Sequence, residues 1–200
     1  MWNRESTLAS KTGTYLHDQI ECLMNNTILT YPYNNGKIYE VYKSYILEHN
    51  ITLDYLNETC KDWSYVLRFI MDNPTMQPYR TEWCIYHEEY KLMGCLDILY
   101  TTTDNYGNVE YILCDWKRCK DISKTSKYDK MCLNSKLDDI PDAGFWRYSI
   151  QLNLYAIILR DKYDIDVSQM FIINFHPNGS NYDVVTVSDM KEKIIAALIG

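Results

Sequence analysis

Long apolar runs are missing from this chain. No window nears the eighteen or so uninterrupted apolar residues of a membrane span, and the opening MWNRESTLAS has no apolar stretch of the kind that directs export. No CxxC pair occurs among the seven cysteines, at positions 22, 60, 84, 95, 114, 119 and 132. Their number is odd, so free thiols are expected rather than a disulfide framework. Cys114 and Cys119 have no second pair downstream to complete a structural zinc site. There is no repeat, no low-complexity segment and no obvious linker. Together these absences predict a soluble intracellular protein that does not engage a membrane.

What is present is ordinary globular material. Two hundred residues, 46% hydrophobic and 24% charged, suffice for one domain with a proper core. The formal charge of −7 argues against a nucleic-acid partner only if it is evenly spread. It is not, because residues 116–136 carry seven Lys or Arg against two Asp, a local +5. Such a strip, with Lys124, Lys127 and Lys130 at its centre, can hold phosphates whatever the global sum; a solvated lysine-rich loop explains it equally well.

The first half reads as helical. Leu16, Ile20, Leu23 and Met24 keep helical spacing, as do Ile38, Val41, Tyr42, Tyr45 and Ile46 after a turn at 32–36. A third helix carries Trp63, Val66, Leu67, Ile70 and Met71, and Asp72-Asn73-Pro74 stops it. Strands are then predicted at 82–90, 92–102 and 109–116, the last two joined by a turn at Asp104–Asn108. The stretch 118–140 reads as a loop or mobile flap. A strong helix at about 145–162 follows, with Trp146, Ile150, Leu154, Ile157 and Ile158 as its apolar side. A buried strand at 170–175, a pairing segment at 184–187 and a last short helix complete the order. The fold class is α/β, a mixed central sheet flanked by helices. One domain over 1–200 is expected, with a helical part at about 9–72 and a sheet-and-helix part at about 79–178.

Chemistry concentrates at the ends of two strands. Side chains alternate, so Asp115 and Lys117 project to the same side one pleat apart. Such a pair suits cation-assisted hydrolysis, although a surface salt bridge gives the same pattern. Asp97 lies inside the apolar run Leu96 to Leu99 and needs a partner there. With the hairpin centred on Asn105/Tyr106, the numbers of opposed residues add to about 211, and those of Asp97 and Asp115 add to 212. The two carboxylates are therefore expected nearly opposite, within reach of one ion, and without a cation they repel. On the first helix, His17 and Glu21 share a face offset from the apolar stripe. Arg147, Gln151 and Tyr155 recur every four residues on the long helix, either as a ruler along a nucleic-acid backbone or as groups bonded within the protein. The nineteen tyrosines read mainly as packing residues rather than base-stacking ones.

In order, Gly13-x-x-x-His17, Gly94-x-x-Asp97, Asp115-Trp116-Lys117 and Gln151-x-x-x-Tyr155 resemble the RecB-type branch of the PD-(D/E)xK nucleases. The similarity spans about residues 9–178. From Arg80 through Pro177 it is most like that of stand-alone members encoded by large DNA viruses and phages. The resemblance implies a restriction-endonuclease-like αβββαβ core and metal-dependent hydrolysis of phosphodiester bonds, with DNA as the expected partner and RNA as an alternative. It implies Mg²⁺ or Mn²⁺, one or two ions, held by Asp97, Asp115, the Trp116 carbonyl and His17. Lys117 would position the water, and Gln151 and Tyr155 would align the backbone or Lys117. Glu21 would be an outer partner, Glu82 a supporting acid or a plain surface one, and Arg147 a contact to a flanking phosphate. Leu96 replaces the proline of the family's name, and Trp116 stands where Tyr or Phe is usual. No cysteine follows Cys132, which rules out the iron–sulfur cluster that some relatives build. Two alternatives keep the same residues: a binding module that does not cut, and an internal salt-bridge network.

Overall fold

The computed structural model describes residues 13, 14, 16, 17, 20, 21, 24, 25 and 61–199. The helix expected around Ile38–Ile46 and the side chains of Leu23 and Trp63 lie outside the described residues. The described positions between 13 and 25 are all helical and form α1. They are followed by α2 (Lys61–Asp72), β1 (Gln77–His87), β2 (Leu92–Thr103) and β3 (Val109–Lys117). Then come α3 (Gly144–Tyr163), β4 (Val167–Asn174), β5 (Asp183–Thr186) and α4 (Lys191–Ile199). No described helix is long and apolar enough to cross a membrane.

The strands form one mixed sheet in the order β1-β2-β3-β4-β5, with β3 and β4 parallel and every other pair antiparallel. This is the α/β architecture that the pattern predicts. Each face is apolar because the strands feed alternate residues to two layers. One face packs Ile98, Tyr100, Ile112, Cys114 and Trp116 against Leu16, Ile20 and Met24 of α1 and Tyr65, Val66, Phe69 and Ile70 of α2. The other sets Leu99, Leu113 and Ile172 against Phe145, Leu152, Ala156 and Leu159 of α3. The turn after β2 closes as its residues dictate. Asp104 Oδ1 accepts the N–H groups of Tyr106 and Asn108, and Gly107 takes φ +89.

Some expectations need correction. The first strand starts at Gln77 and ends at His87; residues 88–91 are a turn in which Lys91 has φ +52. Those four residues are charged or aromatic and gave the alternating pattern no sign of a break. The core row of α3 is Phe145, Ser149, Leu152, Ala156 and Leu159, one position round from the expected Trp146, Ile150 and Leu154, which are half-buried. The helix is apolar nearly all round, and two of its core positions are polar, which hid the row. Ser149 Oγ donates to Phe145 O; Asn153 donates to Ser149 O and Ser188 O and accepts from Met190 N. Met71 is exposed rather than part of the α2 core face. The stretch after β3 is irregular but pinned rather than free. Phe145 N donates to Ser123 O, Trp146 Nε1 to Lys124 O, Cys132 N to Ile140 O and Asp142 N to Lys130 O, while Leu137 and Ile140 are buried.

Candidate active site

β2 pairs with β3 from Thr103↔Val109 only as far as Ile98↔Cys114. Beyond that point β2 continues on β1 alone, from Ile98↔Thr81 to Leu92↔His87. The last residues of β3 continue on β4 alone, Asp115↔Ile172 to Lys117↔Asn174. The two strands part at Asp97 and Asp115, so the register carries these acids to the mouth of a fork. The cause of the parting is visible in β2. Leu96 and Leu99 enter the same core, which residues three apart on a regular strand cannot do, so the alternation slips at Asp97. Across from it, between the pairs Thr81↔Ile98 and Trp83↔Leu96, Glu82 has φ +42, a left-handed conformation that costs a non-glycine residue on the order of 1 kcal/mol.

A fork strips backbone groups of their ladder partners, and these must be satisfied otherwise. Trp116 N–H donates to Asp97 Oδ2 at 2.8 Å. Trp116 O is 3.0 Å from His17 Nε2. A carbonyl oxygen only accepts, so Nε2 carries the proton and His17 reaches the fork from α1 in a fixed orientation. Its other nitrogen, Nδ1, stands 3.7 Å from Asp97 Oδ2 and 3.9 Å from Glu82 Oε1. Both distances exceed a hydrogen bond. His17, Glu82 and Asp97 thus surround a gap, their ligand atoms all within 4.8 Å of one another. The cleft above it, about 350 Å³, is lined by Gly13, Thr14, His17, Glu21 and Glu82. Glu21 Oε1 accepts from Asn25, whose Oδ1 accepts from Thr81 Oγ1, tying α1 to β1 beside Glu82.

Asp115 lies on the α3 side of the fork and outside that group of three. Its side chain is 2% exposed, and its Oδ2 is ion-paired with Lys117 Nζ at 2.5 Å. Burial, with the charge of Asp97 added, pushes the Asp115 carboxyl up to about 6 against the pull of Lys117. For Lys117, burial opposes the charge, but Asp115 and Asp97 outweigh it and hold the ammonium above the ordinary lysine range. The Tyr148 ring lies 5.0 Å from Lys117 Nζ. The surplus negative charge is felt on the neighbouring strand too: burial, Cys84, Glu82 and Asp97 push the Cys95 thiol up to about 12.

The sequence-expected residues are thus distributed in three ways. His17, Asp97, Asp115, Trp116 and Lys117 meet at the fork, where Asp97 shares its gap with His17 and Glu82 and the Trp116 carbonyl is taken up by His17. Gln151 and Tyr155 approach from α3: Gln151 Nε2 donates to Tyr155 Oη at 3.0 Å. The Tyr155 ring lies against Gly94, where an added Cβ would be 2.4 Å from Cε1. The glycine of one motif is thus the seat of the tyrosine of another. Arg147, by contrast, is exposed and paired with Asp142 at 2.7 Å. Lys124 Nζ lies 4.6 Å from the Phe145 ring, Lys130 Nζ lies 5.8 Å from the Tyr128 ring, and Lys127 is exposed.

Glu82, which the resemblance offers as a supporting acid or a plain surface one, stands in the gap itself; alternation does not show the kink that puts it there. Two further contributors belong to no motif. Tyr148, three residues before Gln151, is off the i, i+4 row. Asn174 is buried and clamps Cys119, accepting from its N and donating to its O, both at 3.1 Å, which fixes the chain just past Lys117. A polar residue ending the apolar run Met170 to Ile173 was its only sign. No protein-family model matches the chain, and no curated protein matches it.

Proposed function

We propose that the chain is a divalent-cation-dependent nuclease that hydrolyses phosphodiester bonds with water. DNA is preferred to RNA as the substrate on the strength of the RecB-type resemblance alone. The observation that carries the reading is the fork, where His17, Glu82 and Asp97 ring a gap while Asp115 and Lys117 stand on its other side. The donors fit Mg²⁺ or Mn²⁺. One imidazole nitrogen and carboxylate oxygens suit a hard or borderline ion, and a ligating histidine generally gives its other N–H to a carbonyl or carboxylate, as His17 gives Nε2–H to Trp116 O. Asp115, on the other side of the fork, is held by Lys117 at 2.5 Å, which sets a carboxylate and an ammonium beside the gap.

A cation held there would supply Lewis acidity toward the phosphate and the attacking water. The residues contribute the remainder. Lys117, kept charged by the two aspartates, is a donor and not a base at neutral pH, so it orients the water and steadies charge on the non-bridging oxygens. Asp97 holds Trp116 N–H, and His17 holds Trp116 O, so the backbone between Asp115 and Lys117 cannot rotate. Gln151 and Tyr155, locked to each other and to Gly94, offer an amide and a phenol along the approach from α3.

The test is cleavage of end-labelled single- and double-stranded DNA with Mg²⁺, Mn²⁺ or EDTA. Cutting with either ion and none in EDTA is expected. Binding without cutting in both ions would replace the nuclease reading with that of a binding module, and equal cutting in EDTA would remove the cation from the reaction.

A further inference from the structure

One pleat from the Glu82–Asp97 pair, Cys84 and Cys95 face each other across β1 and β2. Their sulfurs are 3.3 Å apart. Directly opposed residues of antiparallel strands have Cα atoms about 4.5–5.5 Å apart, inside the range that a disulfide spans. β1 is an edge strand and Cys84 is exposed, so an oxidant reaches the pair from solvent. Cys114, by contrast, is fully buried in the core. Cys95 Sγ also stands 3.9 Å from Glu82 Oε2, which couples the pair to the acid beside it.

We propose that Cys84 and Cys95 are an oxidation site, closed by a small-molecule disulfide into a cross-strand link that weakens cation binding at the fork. The exchange balances. Cys84 attacks one sulfur of the oxidant and releases the first thiol; Cys95 then displaces the second, and its proton leaves on that thiol. Two thiols are oxidised to one disulfide, and the oxidant is reduced to two thiols. The effect on the fork rests on the cation reading of the previous section. Ligand atoms on one octahedral ion at about 2.1 Å lie about 3.0 Å apart, so Glu82 and Asp97 must draw toward His17 Nδ1 by somewhat under 1 Å. Side-chain rotation supplies part of that closure, and the approach of β1 and β2 at the Glu82 kink supplies the rest. A staple two residue pairs away fixes the spacing of β1 and β2 and opposes the part that comes from the strands.

The experiment equilibrates the full chain in buffers of reduced and oxidised glutathione. It maps the disulfides by peptide mass and measures Mn²⁺ affinity by calorimetry in both states. The expected result is a link between the Cys84 and Cys95 peptides that dithiothreitol reverses. Affinity should be weaker in the oxidised protein on the order of fivefold, which is about 1 kcal/mol. In Cys84→Ser, and separately in Cys95→Ser, affinity should be the same in both buffers. A map without the 84–95 link overturns the oxidation site. A linked protein that binds Mn²⁺ as tightly as the reduced one overturns the coupling. Failure of the reduced protein to bind Mn²⁺ at all overturns the coupling through the cation reading beneath it, and the 84–95 map then decides the oxidation site alone.

Discussion

β3 is one strand with two characters. From Tyr111 to Cys114 it is paired on both edges, and Ile112, Leu113 and Cys114 are buried between the two layers. From Asp115 to Lys117 it is paired on one edge only, and it carries an acid, a lysine and a tryptophan whose backbone groups bond to side chains. Composition alone does not make the difference, because Cys114 and Asp115 are neighbours on the same strand. What changes is the loss of β2, which turns away where Glu82 and Asp97 kink. The zipped half satisfies its backbone through the ladders, with Ser168 Oγ added at Tyr111 O at its far end. The open half needs side chains, and those recruited for that work, Asp97 and His17, are thereby aimed at one point. Polar chemistry is assembled here by removing a hydrogen-bonding neighbour from a strand.

The largest expected effect comes from making the open half as inert as the zipped one. Lys117→Ala should lower cleavage on the order of a hundredfold or more, the usual cost of losing a charge-stabilising donor. Mn²⁺ affinity should not fall, since an ammonium is no ligand and its removal frees Asp115 Oδ2. Single-turnover cleavage and calorimetry check both halves of the statement. A wild-type rate in this variant would reduce the fork to a structural salt bridge.

Gly94 sharpens the contrast through packing. It lies in the singly paired part of β2, where a bare backbone lets the Tyr155 ring approach to a distance that no Cβ permits. Gly94→Ala should force the ring away and break its bond with Gln151. Overpacking of this kind costs on the order of 1–3 kcal/mol, or a melting temperature lower by roughly 3–10 °C in a chain this long. In a Tyr155→Ala background the same change should cost far less. Additive losses in the double variant would mean that the ring does not rest on Gly94.

The zipped half was the legible half. Alternation and the Asp104–Asn108 turn place β2 and β3 in register to within one residue: observed pairs such as Ile98↔Cys114 add to 212, against an expected sum of about 211. The same arithmetic puts Asp97 and Asp115 just past the end of that register, where the fork opens, and helical spacing separates His17 from Leu16 and Ile20. What periodicity could not deliver was the fork itself. A kink at Glu82 depends on a backbone angle that carries no residue signature, so the sequence offers Asp115 as the partner of Asp97 and Glu82 only as a supporting acid. The α3 core row was hidden for a related reason. Ser149 and Asn153 look solvent-facing until their bonds to Phe145 O and Ser188 O are seen.

Acidity separates the two halves next. In metal-free buffer the folded Asp115 carboxyl titrates near 6, above its unfolded value of about 3.9, so folding takes up a proton between these pH values. Stability from this group therefore rises as pH falls through 6 and levels off below about 4. Between pH 7 and 5 the gain should be about 1 kcal/mol. The carboxyls of Asp104, Asp139, Asp161 and Asp189 are held below the ordinary range, so their stabilisation is lost only at lower pH and leaves this window clear. Asp97→Asn removes the neighbouring charge and should raise metal-free stability at pH 7 while shrinking the acid gain. Asp115→Asn leaves buried Lys117 without its counter-ion and should instead destabilise, although two repelling acids alone would predict a gain for both. With saturating Mn²⁺ the pH trend should reverse, because protons compete with the cation. Thermal melts in EDTA and in Mn²⁺ test this, and a metal-free trend of the opposite sign would show Asp115 to be ionised and satisfied by Lys117 alone.

The smallest effect should come from the chain that leaves the open end of β3. Of its three central lysines, Lys124 is partly structural, with its ammonium over Phe145 and its carbonyl bonded to Trp146. Lys127 and Lys130 are exposed, and the Tyr128 ring lies 5.8 Å from the ammonium of the second. Substituting both with Gln should leave the melting temperature within about 1 °C, since exposed charges contribute little to stability. If they contact phosphates, the slope of log affinity for DNA against log salt should flatten by about 1.8, at roughly 0.9 per phosphate neutralised on a duplex. The cleavage rate at saturating DNA should stay unchanged, because neither residue reaches the fork. Lys124→Gln should differ from both by lowering the melting temperature as well, through the loss of its contact with Phe145. An unchanged salt slope in the double variant would assign the strip to solvent and leave phosphate recognition to the fork and to Arg147, Gln151 and Tyr155 of α3. A lowered rate at saturation would place these lysines closer to the scissile bond than their attachment to the start of α3 allows.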